Sequence, residues 1–177
     1  AKGLLLSAID DPNPVIFLEH KLLYKMKGLE EVPTGAERIP LGVSKVVRQG
    51  KDLTIVATGI MVYKARQIAD KLAADGIDVA IIDPRTISPL DIKPILASVE
   101  ETGRLMVVQE GPKHAGFINE VIAQVTESSA FGSLIAPIKR LAGLDIPIPY
   151  APQLEKAAVP QVEDIEAAAR EIVKNWR

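Results

Sequence analysis

From residue 53 onward the apolar positions alternate between short continuous runs and stripes three or four residues apart. The run Leu53-Thr-Ile-Val-Ala57 predicts a strand, and the continuous apolar runs Val79-Ala-Ile-Ile82 and Leu105-Met-Val-Val108 predict strands buried on both faces. Between the first two, Val62, Ala65, Ile68, Ala69 and Leu72 share one face of a helix over 61–74, closed by Gly76 in a left-handed turn. Pro89-Leu-Asp91 opens a helix over 92–101, with Ser88 as its cap. A further helix over 117–128 turns Val121, Ile122 and Val125 inward, and 138–141 forms a last short strand.

The flanks are less regular. Residues 2–9 form a short amphipathic helix stopped by Asp10-Asp-Pro-Asn-Pro14, 15–18 read as a strand, and 19–35 as a polar connector containing Gly28. This opening unit is too small to bury its own apolar face. Residues 43–48 and 53–57 flank the turn Gln49-Gly-Lys-Asp52 and read as a pair of strands. Beyond Asp145, the alternating prolines of Ile146-Pro-Ile-Pro149 require extended chain. Pro160 starts a final helix, with Glu163 and Asp164 in its first turn, Lys174 and Arg177 near its end, and Ile165, Ala169, Ile172 and Trp176 as the inward stripe. Strands alternating with helices imply a mainly parallel sheet covered on both faces, a three-layer α/β/α domain.

Composition narrows the classes. At 177 residues and 47% apolar content the chain can bury a sizeable core, and 4% aromatics make that core aliphatic. A net charge of −2 argues against nucleic acid or an anionic membrane as partner. No apolar run approaches the roughly 18 residues of a transmembrane helix, and the start AKGLLLSAIDDPNP lacks the features of a signal peptide. It has no initial methionine and reads as the middle of a longer protein. Without cysteine there are no disulfides, thiolate metal sites or thiol nucleophiles, and the expected location is the cytoplasm.

Candidate chemistry gathers in loops at strand ends. Glu110-Gly-Pro-Lys-His114 lies between a buried strand and a helix start, where parallel sheets place ligands. Gly111 and Gly116 allow close backbone approach, and Lys113 with the helix amides can hold an anion. Thr58-Gly59 ends strand 53–57 and faces this loop. Thr58, Gly59, Glu110, Gly111, Lys113 and His114 are therefore the candidate anion-binding crevice. The competing reading is a turn in which Glu110 accepts hydrogen bonds from the following amides and His114 is merely polar. The loop matches neither GxGxxG nor GxxxxGK[ST], so no nucleotide fingerprint is met. Asp83, Arg85 and Asp91 form either a functional charge cluster or a brace in which Arg85 pairs with a carboxylate. Thr58 has no adjacent base. His20 and His114 lack metal-ligand spacing, and Glu19 beside His20 is as well explained by a domain contact as by acid–base work.

The ordered segments NPVIFLEHKLLY, IPLGVSKVVRQGKDLTIVATGIMVYKA, VAIIDPRTISPLD, VVQEGPKHAGF and RLAGLDIPIPYAPQLEKAAVPQVEDI resemble the C-terminal half of the β subunit of thiamine-diphosphate-dependent 2-oxo acid dehydrogenases. That group includes the pyruvate, branched-chain 2-oxo acid and acetoin enzymes. The resemblance implies a five-stranded, mostly parallel sheet with one antiparallel edge strand, in which strands 53–57 and 105–109 are neighbours. It implies that residues 1–35 are the tail of a preceding pyrimidine-binding domain and linker, and 36–177 a transketolase C-terminal-like domain. It places thiamine diphosphate, magnesium and the catalytic groups in the preceding domain and the α subunit. No catalytic, cofactor-binding or metal residue is therefore expected here, and the chain alone is expected to bind neither cofactor.

The partners the resemblance implies are a second β subunit, the α subunit and the basic subunit-binding domain of the acyltransferase core. Glu163 and Asp164 are candidate docking contacts for that domain, with favourable charge in a helix first turn as the competing role. The family pattern EGxxTGGF is altered, because His114-Ala115 replaces Thr-Gly. The rival functions are a stand-alone anion-binding module and the equivalent domain of a transketolase or deoxyxylulose-phosphate synthase.

Overall fold

The computed structural model describes residues 1–26 and 31–176. Gly28 of the connector and Arg177 of the final helix lie outside them. In chain order the elements are α1 (Lys2–Asp10), a 3-10 turn (Lys21–Lys25), β1 (Lys45–Arg48), β2 (Leu53–Ala57), α2 (Ile60–Ala74), β3 (Val79–Asp83), α3 (Lys93–Thr102) and β4 (Leu105–Pro112). They continue with α4 (Phe117–Thr126), a 3-10 turn (Ser129–Ser133), β5 (Lys139–Gly143), α5 (Pro152–Ala158) and α6 (Val162–Asn175).

The strands form one sheet of order β1-β3-β2-β4-β5, parallel except for β1 against β3. The expected five-stranded sheet with an antiparallel edge is thus present, with β2 and β4 adjacent. Side chains alternate strictly across it, as the pleat requires. Leu53, Ile55, Val79, Ile81, Met106 and Val108 meet α2 and α6 on one face. Val56, Ile82, Leu105 and Val107 meet α3 and α4 on the other. Continuous apolar runs were the right signal for strands covered twice.

Several expectations are corrected. β1 and β2 do not pair, because β3 lies between them. The turn joining them packs on the start of β3, where Lys51 N and Asp52 N both donate to Asp78 O at 3.0 and 2.8 Å. Residues 15–18 form no strand, and Ile16 and Leu18 are exposed. Ser88 does not cap α3, which starts at Lys93 with a proline in its first turn. The helix over 152–158 was not foreseen. Pro160 stands outside α6, whose start is a capping box between Gln161 and Asp164. Trp176 is the residue after α6 and is exposed, while Ile165, Ala169 and Ile172 are buried as expected.

Arg104 is 8% exposed. Its guanidinium donates from Nε to Trp176 O at 3.0 Å and from Nη1 to Asp52 O and Thr102 O at 3.1 and 3.2 Å. It therefore ties the end of α6 to the starts of β2 and β4. Replacing Arg104 with Ala should cost about 3 kcal/mol, the scale of losing several charge-assisted bonds at a buried site. The shift in urea midpoint measures it.

Burial raises the Asp83 carboxyl above the ordinary aspartate range, opposed by the Arg85 amide and the charges of Arg85 and Lys45. The folded state then holds this proton more tightly than the unfolded chain, so Asp83 costs stability at neutral pH, a cost relieved as pH falls through the raised value. Asp83→Asn keeps an acceptor for Arg85 N, 2.9 Å away. It is expected to be more stable than the parent at pH 7 and to lose that advantage in acid, as thermal melts across pH would show.

Candidate functional site

The C-terminal ends of β2 and β4 lie side by side, so the residues that follow them share one edge of the sheet. After β2, Gly59 takes φ +55° and opens α2 without a side-chain cap. Met61 N donates to Thr58 O at 3.0 Å and Val62 N to Gly59 O at 3.3 Å. β4 runs on through Glu110 and Gly111 to Pro112, which makes Glu110 and Gly111 strand residues rather than turn residues.

The turn is held by Gln109, not Glu110. Gln109 is buried at the strand end, where its amide donates to Pro112 O at 2.7 Å and Gly111 O at 3.3 Å, and its oxygen accepts from Ile118 N at 3.2 Å. Gly116 is required by this arrangement, since an added Cβ would stand 1.9 Å from the Gln109 amide nitrogen. His114 N donates to Asp145 Oδ1 at 2.9 Å, and Lys113 N to Gly143 O at 3.1 Å. Of the helix amides expected to hold an anion, that of Ile118 thus has a protein acceptor, and so do the loop amides of Lys113 and His114. Ala115 lies at φ +52°, where the family pattern has glycine.

Glu110 instead meets His20, with Oε2 and Nε2 2.7 Å apart. The other ring nitrogen, Nδ1, accepts from Leu22 N at 3.3 Å. That second bond fixes the tautomer: the proton sits on Nε2 and is donated to the carboxylate. With both nitrogens engaged, His20 is no free base. Glu19 accepts from the Tyr24 hydroxyl. Lys64 on α2 donates to Pro160 O at 2.7 Å and Gln161 Oε1 at 3.2 Å. Burial lowers its pKa, while the charges of Glu110, Asp164 and Glu163 act the other way.

Of the predicted crevice residues, the structure brings Thr58, Gly59, Glu110 and Gly111 to adjacent strand ends, while Lys113 and His114 sit on the turn toward Asp145. Two clefts lie elsewhere. One of about 440 Å³ runs between β1 and α2 beside Val47, Arg48, Tyr63 and Arg66. One of about 580 Å³ is apolar and lined by Phe131, Leu134, Ile135 and Trp176. Asp83 accepts from Arg85 N, and Asp91 from Ser44 N at 3.1 Å, so these carboxylates brace loops. Gln109, Lys64 and Asp145 were missed by the reading of the sequence. A glutamine ending an apolar run was the one visible sign.

At the start of α6, Asp164 Oδ2 accepts from Gln161 N at 2.8 Å, the reciprocal bond of the capping box. Glu163 is exposed and makes no hydrogen bond or close ion pair among the described residues, though its charge acts on Lys64.

The model of the family described as "Transketolase, C-terminal domain" matches residues 42–165. The chain belongs to the transketolase C-terminal domain family. Within it, the β subunit of the acetoin:2,6-dichlorophenolindophenol oxidoreductase of Cupriavidus necator is 47% identical over 99% of this chain and 51% of its own length. The mitochondrial pyruvate dehydrogenase E1 component subunit beta-1 of Arabidopsis thaliana is 46% identical over 96% of this chain and 47% of its own. The 2-oxoisovalerate dehydrogenase subunit beta of Bacillus subtilis is 43% identical over 98% and 53%. The chain thus spans about half the length of the curated relatives it matches. A split-gene transketolase, solved as an inactive beta4 tetramer, shares this transketolase C-terminal fold with a TM-score of 0.70 and 28% identity. It covers 85% of this chain and 48% of the other.

Proposed function

We propose that this chain is the C-terminal portion of a dehydrogenase β subunit acting on a 2-oxo acid or acetoin with thiamine diphosphate. Residues 1–35 belong to the preceding domain and linker, and 36–177 to the domain that supports dimerisation and docking. The observation that carries this is identity of 43–47% to three such subunits across nearly the whole chain. The rival transketolase reading rests on a more distant likeness of 28%.

The residues present do not fit the cofactor. Among the described residues no group of three carboxylate or imidazole side chains could hold magnesium, and no phosphate-cradling glycine motif is present. In this reading thiamine diphosphate and magnesium belong to the complete assembly, together with the α subunit. Calorimetry of this chain with thiamine diphosphate and magnesium should give no heat of binding, and micromolar binding would overturn the assignment. No helix among the described residues is long and apolar enough to cross a membrane, and a cytoplasmic assembly accords with a cysteine-free chain.

Dimerisation has a surface to use. Leu144, Ile146, Ile148, Tyr150 and Leu154 are all exposed, and Tyr150 is wholly so, an apolar run of the kind that marks interfaces. Sedimentation should show a dimer, and a monomer at high concentration would contradict it. For docking, Glu163 is the better test because Asp164 is engaged in the helix cap. Glu163→Lys should weaken binding of a basic subunit-binding domain about tenfold, as reversing one interface charge does, while lowering the melting temperature by only the few degrees that losing a first-turn acid costs. Unchanged affinity by calorimetry would remove Glu163 from the interface.

A further inference from the structure

Glu110, at the end of β4, has a partner supplied by the chain itself. His20 reaches Glu110 across 90 positions of sequence. We propose that residues 19–25 form a strap whose imidazole is the native partner of Glu110, and that this carboxylate, more than apolar packing, fixes the strap in place.

The 3-10 turn Lys21–Lys25 contains no buried residue, and Leu22 and Tyr24 are exposed. A five-residue turn of this kind has little stability of its own, because one or two hydrogen bonds do not offset the ordering of its backbone. Packing supplies only part of the difference, through the half-buried Leu23 and through Met26 beside Val47 and Tyr63. His20 supplies the rest, by joining two bonds in one ring: Nδ1 accepts from Leu22 N and Nε2–H donates to Glu110. The first shapes the turn, and the second anchors it to β4. Each bond favours the tautomer that the other requires, so the pair is cooperative.

Lys64 of α2 contributes positive charge toward Glu110, while its amine is itself held by Pro160 O and Gln161 Oε1. Glu19 is turned to Tyr24 and does not compete for the ring. The strap lies between the opening residues and the sheet domain, so its anchor registers the first part of the chain on the second. That registration matters to the proposed β subunit, but the strap itself does not depend on the family reading.

Hydrogen exchange of the 177-residue chain tests the idea by mass spectrometry of peptides covering 17–26. Glu110 contacts the turn through His20, so Glu110→Ala should speed exchange at Leu22 and Leu23 about fivefold while β2 and α2 keep their protection. His20→Ala removes both bonds and should speed exchange at least as much, and adding Glu110→Ala to it should change nothing more. Glu110→Asp keeps the charge and shortens the reach. It should loosen the strap in a fully folded domain, which decides the matter if Glu110→Ala disturbs β4. Unchanged exchange in 17–26 for Glu110→Asp, or additive effects in the double variant, would overturn the strap. Oligomeric state and cofactor binding are separate readouts, so failure here leaves the β-subunit reading standing.

Discussion

A Gly50→Ala variant is expected to lose more than about 4 kcal/mol, a large part of a domain's usual stability. An added Cβ at Gly50 would stand 2.1 Å from Val79 C and 2.3 Å from Ala80 N. These are backbone atoms of β3, the strand between β1 and β2, and no rotamer change can move them aside. Gly50 is the residue that lets the connection from β1 press on β3 while the following amides bond Asp78 O. Relief would require β1 or β3 to shift, and the antiparallel edge would separate. The expected result is poor soluble yield, or a urea midpoint far below that of the parent. A variant within 1 kcal/mol of the parent, on the scale where surface substitutions fall, would show that the connection does not press on β3 as described.

Ile81→Ala should cost about 4 kcal/mol, near the upper part of the range for emptying a fully buried aliphatic site. Ile81 is wholly buried on β3, opposite Ile55 of β2, and lies in the layer beneath α2 and α6. Strands on both sides and helices above leave the cavity little room to collapse. Ile81→Val removes one methyl and should cost only about 1 kcal/mol. Urea titrations of the two variants should therefore separate by roughly 3 kcal/mol. Near-equal losses would mean that the layer repacks around the vacancy.

The contrast between these two residues shows what the sequence could convey. Ile81 belongs to an apolar run, and such runs announced β3 and β4 together with burial on both faces. Periodicity is a local property, and it survives in one chain read alone. Gly50 looked like a hairpin turn because hairpin turns are also glycine-containing and polar. Its actual role depends on Val79, 29 positions away, which no local pattern encodes. The segment 15–18 failed for the same reason: it is apolar enough for a strand but has no sheet edge to join.

The candidate site followed the same division. The address, at adjacent ends of β2 and β4, was legible from the order of strands and helices and from the family resemblance. The contacts were not. Glu110 was expected to brace its own turn, yet the neighbouring Gln109 does so because its side chain points into the loop while Glu110 faces His20. One residue of strand register reverses which side chain faces which way, and a motif read as a string does not carry register. Asp164 was named for docking and is found capping its helix, a role its position in the first turn had already allowed.

The clamp formed by Arg104 also bears on the order of folding. α6 supplies Ile165, Ala169 and Ile172 to the core, and its surface bridges to α2 join residues 95 positions apart, Lys71 with Glu166 and Asp75 with Arg170. The layer above β2 therefore stays open until the last helix has been synthesised and Trp176 O has reached the guanidinium. Pairings this distant in sequence slow the search for the native state, so the nascent domain exposes an apolar face for most of its synthesis. A ribosome-bound chain stopped before residue 162 should be protected by chaperones that recognise such a face, and release of α6 should end that protection.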